Sequence, residues 1–180
     1  MCVIRPIQFA TDAEHLRRFL GERDRSRLPL YERAADDGDV FVLVAEIGGL
    51  ACGWVVVHLR FRPEMEWGPE GGTIRFQQRS SAYLENLEIC ADHRSRGAGR
   101  RLLKAAETEA RRRGKTDLYL HVSATNVRAR RFYERFGWDH RDTVTPPWND
   151  GAPMWVCHQS LGRGSGRVVH RQADPAAIGG

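Results

Sequence analysis

The chain has 180 residues, 41% of them hydrophobic and 28% charged, and a formal net charge of +5. That length suits one domain with a sizeable core, and the balance of residues is ordinary for a soluble globular protein. No apolar run approaches the roughly 18–20 residues of a membrane span, and Met1–Pro6 lacks the apolar stretch of a signal peptide, so no membrane role and a cytoplasmic location are expected.

In chain order, Val3–Phe9 alternates apolar and polar residues and predicts a first strand. Thr11 and Glu14 have capping-box spacing and predict a helix through about Leu20. Residues 21–38 are charged, with Pro29 and Gly38 as breakers, which leaves a short second helix near Leu30–Ala35. Val40–Ile47 and Ala51–Leu59 are β-rich runs around Gly48-Gly49, a hairpin composition. Residues 61–80 carry Pro63, Gly68, Pro69, Gly71 and Gly72 and read as a long loop of the kind that is often functional. Ala82–Cys90 predicts a strand, Arg100–Arg113 an amphipathic helix stopped by Gly114, 117–122 a strand, and Val127–Phe136 a helix stopped by Gly137. Trp138–Val144 and Met154–Leu161 are final strands around Pro146-Pro147. From Gly162 the chain is rich in Gly and Arg, and disorder is expected there. The order predicts one α/β (α+β) domain over 1–161, a single mixed sheet of about seven strands with about four helices, and a tail over 162–180.

Nearly all positive charge is arginine, lysine occurring only at Lys104 and Lys115. No RNP-type or Cys/His-finger motif accompanies it, so nucleic acid is not the expected partner. Cys2, Cys52, Cys90 and Cys157 form no Cys-x-x-Cys pair. Neither a metal site nor a redox pair is expected, and the thiols read as reduced.

The chemistry begins at Arg94-Ser95-Arg96-Gly97-Ala98-Gly99. A strand ends near Cys90, a basic glycine-bearing turn follows, and a helix starts. Helix N-termini present free N–H groups and a partial positive charge, which suits phosphate. Gly97 and Gly99 allow close backbone approach, and Arg94, Arg96 and Arg100 add charge. The spacing is not a Walker loop, and Leu102 stands where a dinucleotide fingerprint needs its third glycine.

These residues resemble the GNAT superfamily of acyl-CoA N-acyltransferases, whose loop pattern Arg/Gln-x-x-Gly-x-Gly/Ala is met at every defined position of 94–99. Leu84–Ile89 resembles the family's fourth strand, and Leu118–Val122 with Asn126–Trp138 resembles its next strand and helix. The resemblance is strongest over 82–138. It implies a mostly antiparallel sheet splayed between strands 4 and 5, with acyl-CoA entering the gap. It further implies that backbone groups of Leu87, Glu88 and Ile89 hold the pantetheine arm. Arg94, Ser95 and the amides of Arg96, Gly97, Ala98, Gly99 and Arg100 are expected at the pyrophosphate.

Asn126, Ala129 and Tyr133 fall on one helical face at i, i+3 and i+7. The resemblance sets the asparagine against the cofactor and the tyrosine against the CoA sulfur, as general acid. Glu85 and Glu88 are the candidate bases, and Glu85 is preferred, because it matches the acidic position of the family's Glu-Asp-Leu-x-Val run. Three apart, they face opposite ways on a regular strand unless a bulge intervenes. His93 and His121 read as structural or exposed. Trp67 and Trp148 are candidate pocket linings, Trp155 reads as core, and Asp36-Asp37-Gly38-Asp39 reads as a solvated turn. The implied reaction moves acetyl from acetyl-CoA, with no metal, to a primary amine: a protein amine, an aminoglycoside, a polyamine or an amino-acid-like metabolite. The alternatives are a non-catalytic acyl-CoA sensor or scaffold, and a basic nucleic-acid module using Arg94–Arg101 and Arg111–Arg113. The exposed final strands allow a homodimer.

Overall fold

The computed structural model describes residues 1–60, 80–146 and 149–162. The expectations for the 61–80 loop up to residue 79, for Trp67 and Trp148, and for the tail beyond Gly162 lie outside the described residues. β1 (Cys2–Pro6), β2 (Val40–Ile47), β3 (Leu50–His58), β4 (Ser81–Ile89), β5 (Asp117–Ser123), β6 (Asp139–Val144) and β7 (Met154–Ser160) form one sheet in the order β1-β2-β3-β4-β5-β7-β6. Every pairing is antiparallel except β4 with β5.

The helices are α1 (Phe9–Arg17), α2 (Glu22–Asp36), α3 (Ala98–Arg112) and α4 (Val127–Arg135). They cover both faces. Phe41, Leu43 and Ala45 of β2 join a core with α3 and α4, while Val40, Val42 and Val44 join a second core with α1 and α2. Burial on both faces explains why β2 and β3 read as nearly continuous apolar runs.

Three local expectations change. The first strand stops at Pro6 and α1 starts at Phe9 with Thr11 inside it, so the Thr11–Glu14 capping box does not form. Asp12 serves the terminus instead: it accepts the Gln8 amide at 2.7 Å and two bonds from Arg5 at 2.7 and 2.8 Å. The Arg5 guanidinium holds the buried Asp12 carboxyl below the usual carboxylate range against the cost of burial.

The second helix is much longer than expected and runs through Pro29. Pro29 is exposed, so the carbonyl that loses its N–H partner can turn to water, while Leu28, Tyr31 and Ala34 are buried along one stripe. α3 begins two residues earlier than expected because Gly97, at φ 84°, turns the chain directly into it. Leu102, Leu103, Ala106 and Ala110 then seat α3 on the sheet. Trp138 Nε1 donates to Glu107 Oε1 at 3.2 Å and ties the chain after α4 back to α3.

β3 and β4 approach closely at Gly53. A Cβ there would meet Ile89 Cδ1 and lie 2.9 Å from the Glu88 carbonyl oxygen, which cannot move without shifting β4. Gly53→Ala is therefore expected to destabilise the fold by about 1–3 kcal/mol, the usual range for overpacking. A lowered urea midpoint at unchanged m-value checks it.

Candidate active site

β4 and β5 are paired only at Ser81/Asp117, Ala82/Leu118 and Tyr83/Tyr119. Beyond Tyr83 the two strands part, and among the described residues Leu84–Ile89 have no ladder partner on that edge. The gap is pinned at its closed end, where the Tyr83 hydroxyl lies 2.9 Å from His121 Nδ1. Burial drops His121 to about 4, so its imidazole is neutral at physiological pH. His121 is thus neither exposed nor isolated.

The phosphate-type loop stands at the open end. Ser95 (φ 63°) and Gly97 (φ 84°) are both left-handed, and left-handed residues in such turns are a feature of backbone anion-binding nests. α3 has no side-chain cap and no acid in its first turn. Arg94 Nε is anchored on the Ile89 carbonyl at 2.9 Å, and Arg128 of α4 reaches Ser95 Oγ at 3.3 Å. Arg96 and Arg100 are exposed, whereas Ala98 is buried under the loop. A Cβ on Gly99 would lie 3.7–3.8 Å from Ile89, Phe132 and Leu87, so loop, β4 and α4 converge there. In contrast, Arg112 and Arg113 are paired with Glu109, and Arg111 donates to the Leu161 carbonyl. Those arginines close up the C-terminal end of α3.

Tyr133 projects from α4 into the core between Phe132 and Trp138, with ring centroids 5.3 and 5.6 Å away. Burial and nearby Cys157 push its phenol far above the ordinary range, so it keeps its proton. Ala129 is half-buried on the same side, but Asn126 is exposed: it is the N-cap of α4, its Oδ1 accepting the Ala129 amide at 3.0 Å.

The two acidic candidates do share a face. Val56 pairs with Asn86 and Val57 with Leu84, leaving Glu85 as the extra residue of a bulge. Leu84 and Leu87 point to the α3 side; Glu85, Asn86 and Glu88 turn to the α2 side. Glu85 is almost fully enclosed, its side chain 3% exposed. Oε1 accepts from Tyr31 (2.6 Å) and Arg27 (3.2 Å), and Oε2 contacts His58 Nε2. Asn86 bridges Trp54 Nε1 and Asp24. Glu88 is half-buried, and burial together with Asp24 raises its carboxyl above the ordinary range.

Sequence reading missed Asp24, Arg27, Tyr31, His58 and Tyr83. Asp24, Arg27 and Tyr31 are spaced i, i+3 and i+7 on α2, a signal lost once Pro29 was taken as a stop. Among the other candidates, Trp155 is half-buried against the core, with His140 stacked at 3.9 Å and Arg130 over its ring at 3.5 Å. Asp39 is buried and faces Arg60 at 3.5 Å, so the acidic run is only partly a solvated turn. His93 is half-buried beside Cys90. Among the described residues no group of three or more His, Cys, Asp or Glu could hold a metal ion, and no helix is long and apolar enough to cross a membrane.

The architecture is widely shared. The ribosomal-protein-S18-alanine N-acetyltransferase of Escherichia coli superposes with a TM-score of 0.64 at 18% identity, covering 93% of this chain and 99% of that one. The PaiA N-acetyltransferase of Thermoplasma acidophilum in complex with coenzyme A gives 0.62 at 16% identity, over 89% and 99%. Salmonella typhimurium YncA with its cofactor acetyl-CoA gives 0.66 at 20% identity, over 99% of both chains. At these identities the likeness establishes the fold. In sequence, the chain is 31% identical over 80 residues to the chloroplastic GCN5-related N-acetyltransferase 7 of Arabidopsis thaliana; the match spans 44% of this chain and 28% of that relative. The acetyltransferase (GNAT) family model matches residues 9–138, well over half of the sequence and the whole run from α1 to the end of α4, and the chain belongs to that family.

Proposed function

We propose that the protein is an N-acetyltransferase that passes the acetyl group of acetyl-CoA to a primary amine by direct attack in a ternary complex. The observation that carries this is the parting of β4 from β5 between an uncapped, glycine-led helix terminus and the protonated phenol of Tyr133. The N–H groups around Gly97–Arg100, with Arg94 and Arg96, suit the pyrophosphate of acetyl-CoA. The free edge of Leu87–Ile89 offers backbone partners to the amide-bearing pantetheine arm. Gly99 lies where loop, β4 and α4 converge, beside Ile89, Phe132 and Leu87. Asn126 and Ala129 lie at the start of α4.

Amide formation needs a neutral amine, and a lysine-like amine of pKa about 10.4 is neutral in roughly one molecule in 2,000 at pH 7. A carboxylate serves as proton acceptor if it has a free lone pair and a raised pKa. Glu85 lacks a free lone pair, because Arg27, Tyr31 and His58 already occupy both oxygens. Glu88 sits on the same face and its carboxyl is raised. In this reading Glu88 accepts the amine proton, directly or through water, and Glu85 fixes α2 against β4 as a positioning residue. Tyr133 supplies a proton to the departing thiolate. A thiol of pKa about 8.5 leaves readily, so this help is modest in energy but well timed. The acceptor is a protein amine, an aminoglycoside, a polyamine or an amino-acid-like metabolite.

A thiol-release assay with acetyl-CoA across these amine classes tests the proposal; acetyl-CoA binding with no release from any class would leave a sensor. With an accepted amine, Tyr133→Phe is expected to lower kcat about 10²-fold with little change in KM for acetyl-CoA. The acidic limb of kcat/KM should lie above the ordinary carboxylate range, because protonating Glu88 at falling pH removes the base. Glu88→Gln should abolish that limb; a limb unchanged in Glu88→Gln but lost in Glu85→Gln would move the base to Glu85.

A further inference from the structure

Cys90 lies immediately after β4, at the root of the phosphate-type loop, half-buried and reduced. Its Sγ is 3.1 Å from His93 Nδ1, one turn of 3-10 helix away. Cys52, the extra residue of a bulge between β2 and β3, stands next to it on β3: the Cys90 amide donates to the Cys52 carbonyl at 2.8 Å. Strands joined by such bonds lie about 4.7–4.9 Å apart, inside the roughly 4.4–6.8 Å that disulfides span between Cα atoms. Both side chains pack against the same core, on the α3 side. Cys52 is buried, its Sγ bonded to the Ala45 carbonyl at 3.2 Å, and its thiol is pushed up to about 11, by burial first and then by Cys90 and Cys2.

We infer that Cys90 is a reactive thiol, served by His93 and resolved by Cys52, that takes small-molecule disulfides as its substrate class. The His93 ring nitrogen is within reach to take the thiol proton as Cys90 attacks. The Cys90 thiolate attacks one sulfur of RS–SR; that S–S bond breaks, Cys90–S–SR forms, and RS⁻ leaves with the proton held by His93. Cys52 then gives up its proton, attacks the Cys90 sulfur, and releases a second RSH. Two protein thiols are oxidised to one disulfide while one small disulfide is reduced to two thiols. The new bond joins β3 to β4 next to Ile89, whose carbonyl anchors Arg94. Oxidation therefore acts on the hinge of the loop. This chemistry is independent of acetyl transfer.

The test is to incubate the reduced protein with oxidised glutathione at neutral pH, alkylate at intervals and map peptides by mass spectrometry. Cys90 is expected to be glutathionylated at least about tenfold faster than buried Cys157, then to lose glutathione as a Cys52–Cys90 disulfide forms. Cys52→Ser should stop the sequence at glutathionylated Cys90. His93→Gln, a change at a half-buried turn, should slow the first step about tenfold. Cys90 reacting no faster than Cys157, a His93→Gln rate equal to the parent's, or a disulfide joining Cys2 to Cys52 would each overturn the inference.

Discussion

Everything at the site follows from one geometric fact: β4 and β5 run parallel for three residue pairs and then separate. In the middle of a sheet, an unpaired strand edge is costly, because its N–H and C=O groups must find other partners. The fold holds this arrangement open from several sides. Tyr83 and His121 join the strands at the closed end. α3 and α4 bury Leu102, Leu103 and Tyr133 against the sheet on one face, and α1 and α2 bury Leu16, Leu28 and Tyr31 on the other. Neither strand can slide to close the gap without unpacking a helix. An edge that cannot be satisfied by the protein is left to solvent or to a ligand carrying its own amides.

The bulge at Glu85 is the second consequence of the same strand. A regular strand would send Glu85 and Glu88 to opposite faces. The extra residue resets the alternation, so Leu84 and Leu87 keep the α3 core filled while Glu85, Asn86 and Glu88 all face α2. A carboxylate as enclosed as Glu85 is stable only with strong donors, and α2 and β3 supply three: Arg27, Tyr31 and His58. That knot fixes the height of α2 above β4. Glu88, further along the strand, has no such set of donors among the described residues.

What the sequence disclosed divides along the same lines. The hairpin of β2 and β3, the amphipathic stripe of α3, and the alternation of β5 were legible because each is local: period, turn residues and stop signals lie within a dozen residues. The parting of β4 from β5 was legible only through family resemblance, since no local pattern encodes it. The length of α2 was not legible, because Pro29 is a strong local breaker and the burial of Leu28, Tyr31 and Ala34 that overrides it is tertiary. The part Asp12 plays at the start of α1 was not legible, because its anchor, Arg5, acts from β1. Likewise, Cys52 and Cys90 are 38 positions apart in sequence, and only the β3–β4 register brings them next to each other. The shared helical face of Asn126, Ala129 and Tyr133 was legible from spacing, whereas the capping of α4 by Asn126 was not.

The loop at 94–99 gains most from comparison with the other helix starts in the same molecule. α1 has the Asp12 carboxylate at its first turn, α2 has Glu22 and Asp24, and α4 has the Asn126 cap. Each of these termini has its positive end answered by the protein's own acceptors. α3 alone among the described α-helices has neither a side-chain cap nor an acid in its first turn, and it is preceded by two left-handed residues and flanked by Arg94, Arg96 and Arg100. A terminus left in this state has its N–H groups and positive end unanswered by side chains of its own first turn, and suits an anion. Acyl-CoA brings that anion and, on the same molecule, an amide-bearing arm of the right kind for the open edge of β4. On the proposed function, the donor's contacts would fall within one stretch of chain from Leu84 to Arg100, where a local motif can be read, whereas Glu88 and its surroundings depend on residues from α2, β3 and β4 that only the tertiary fold brings together.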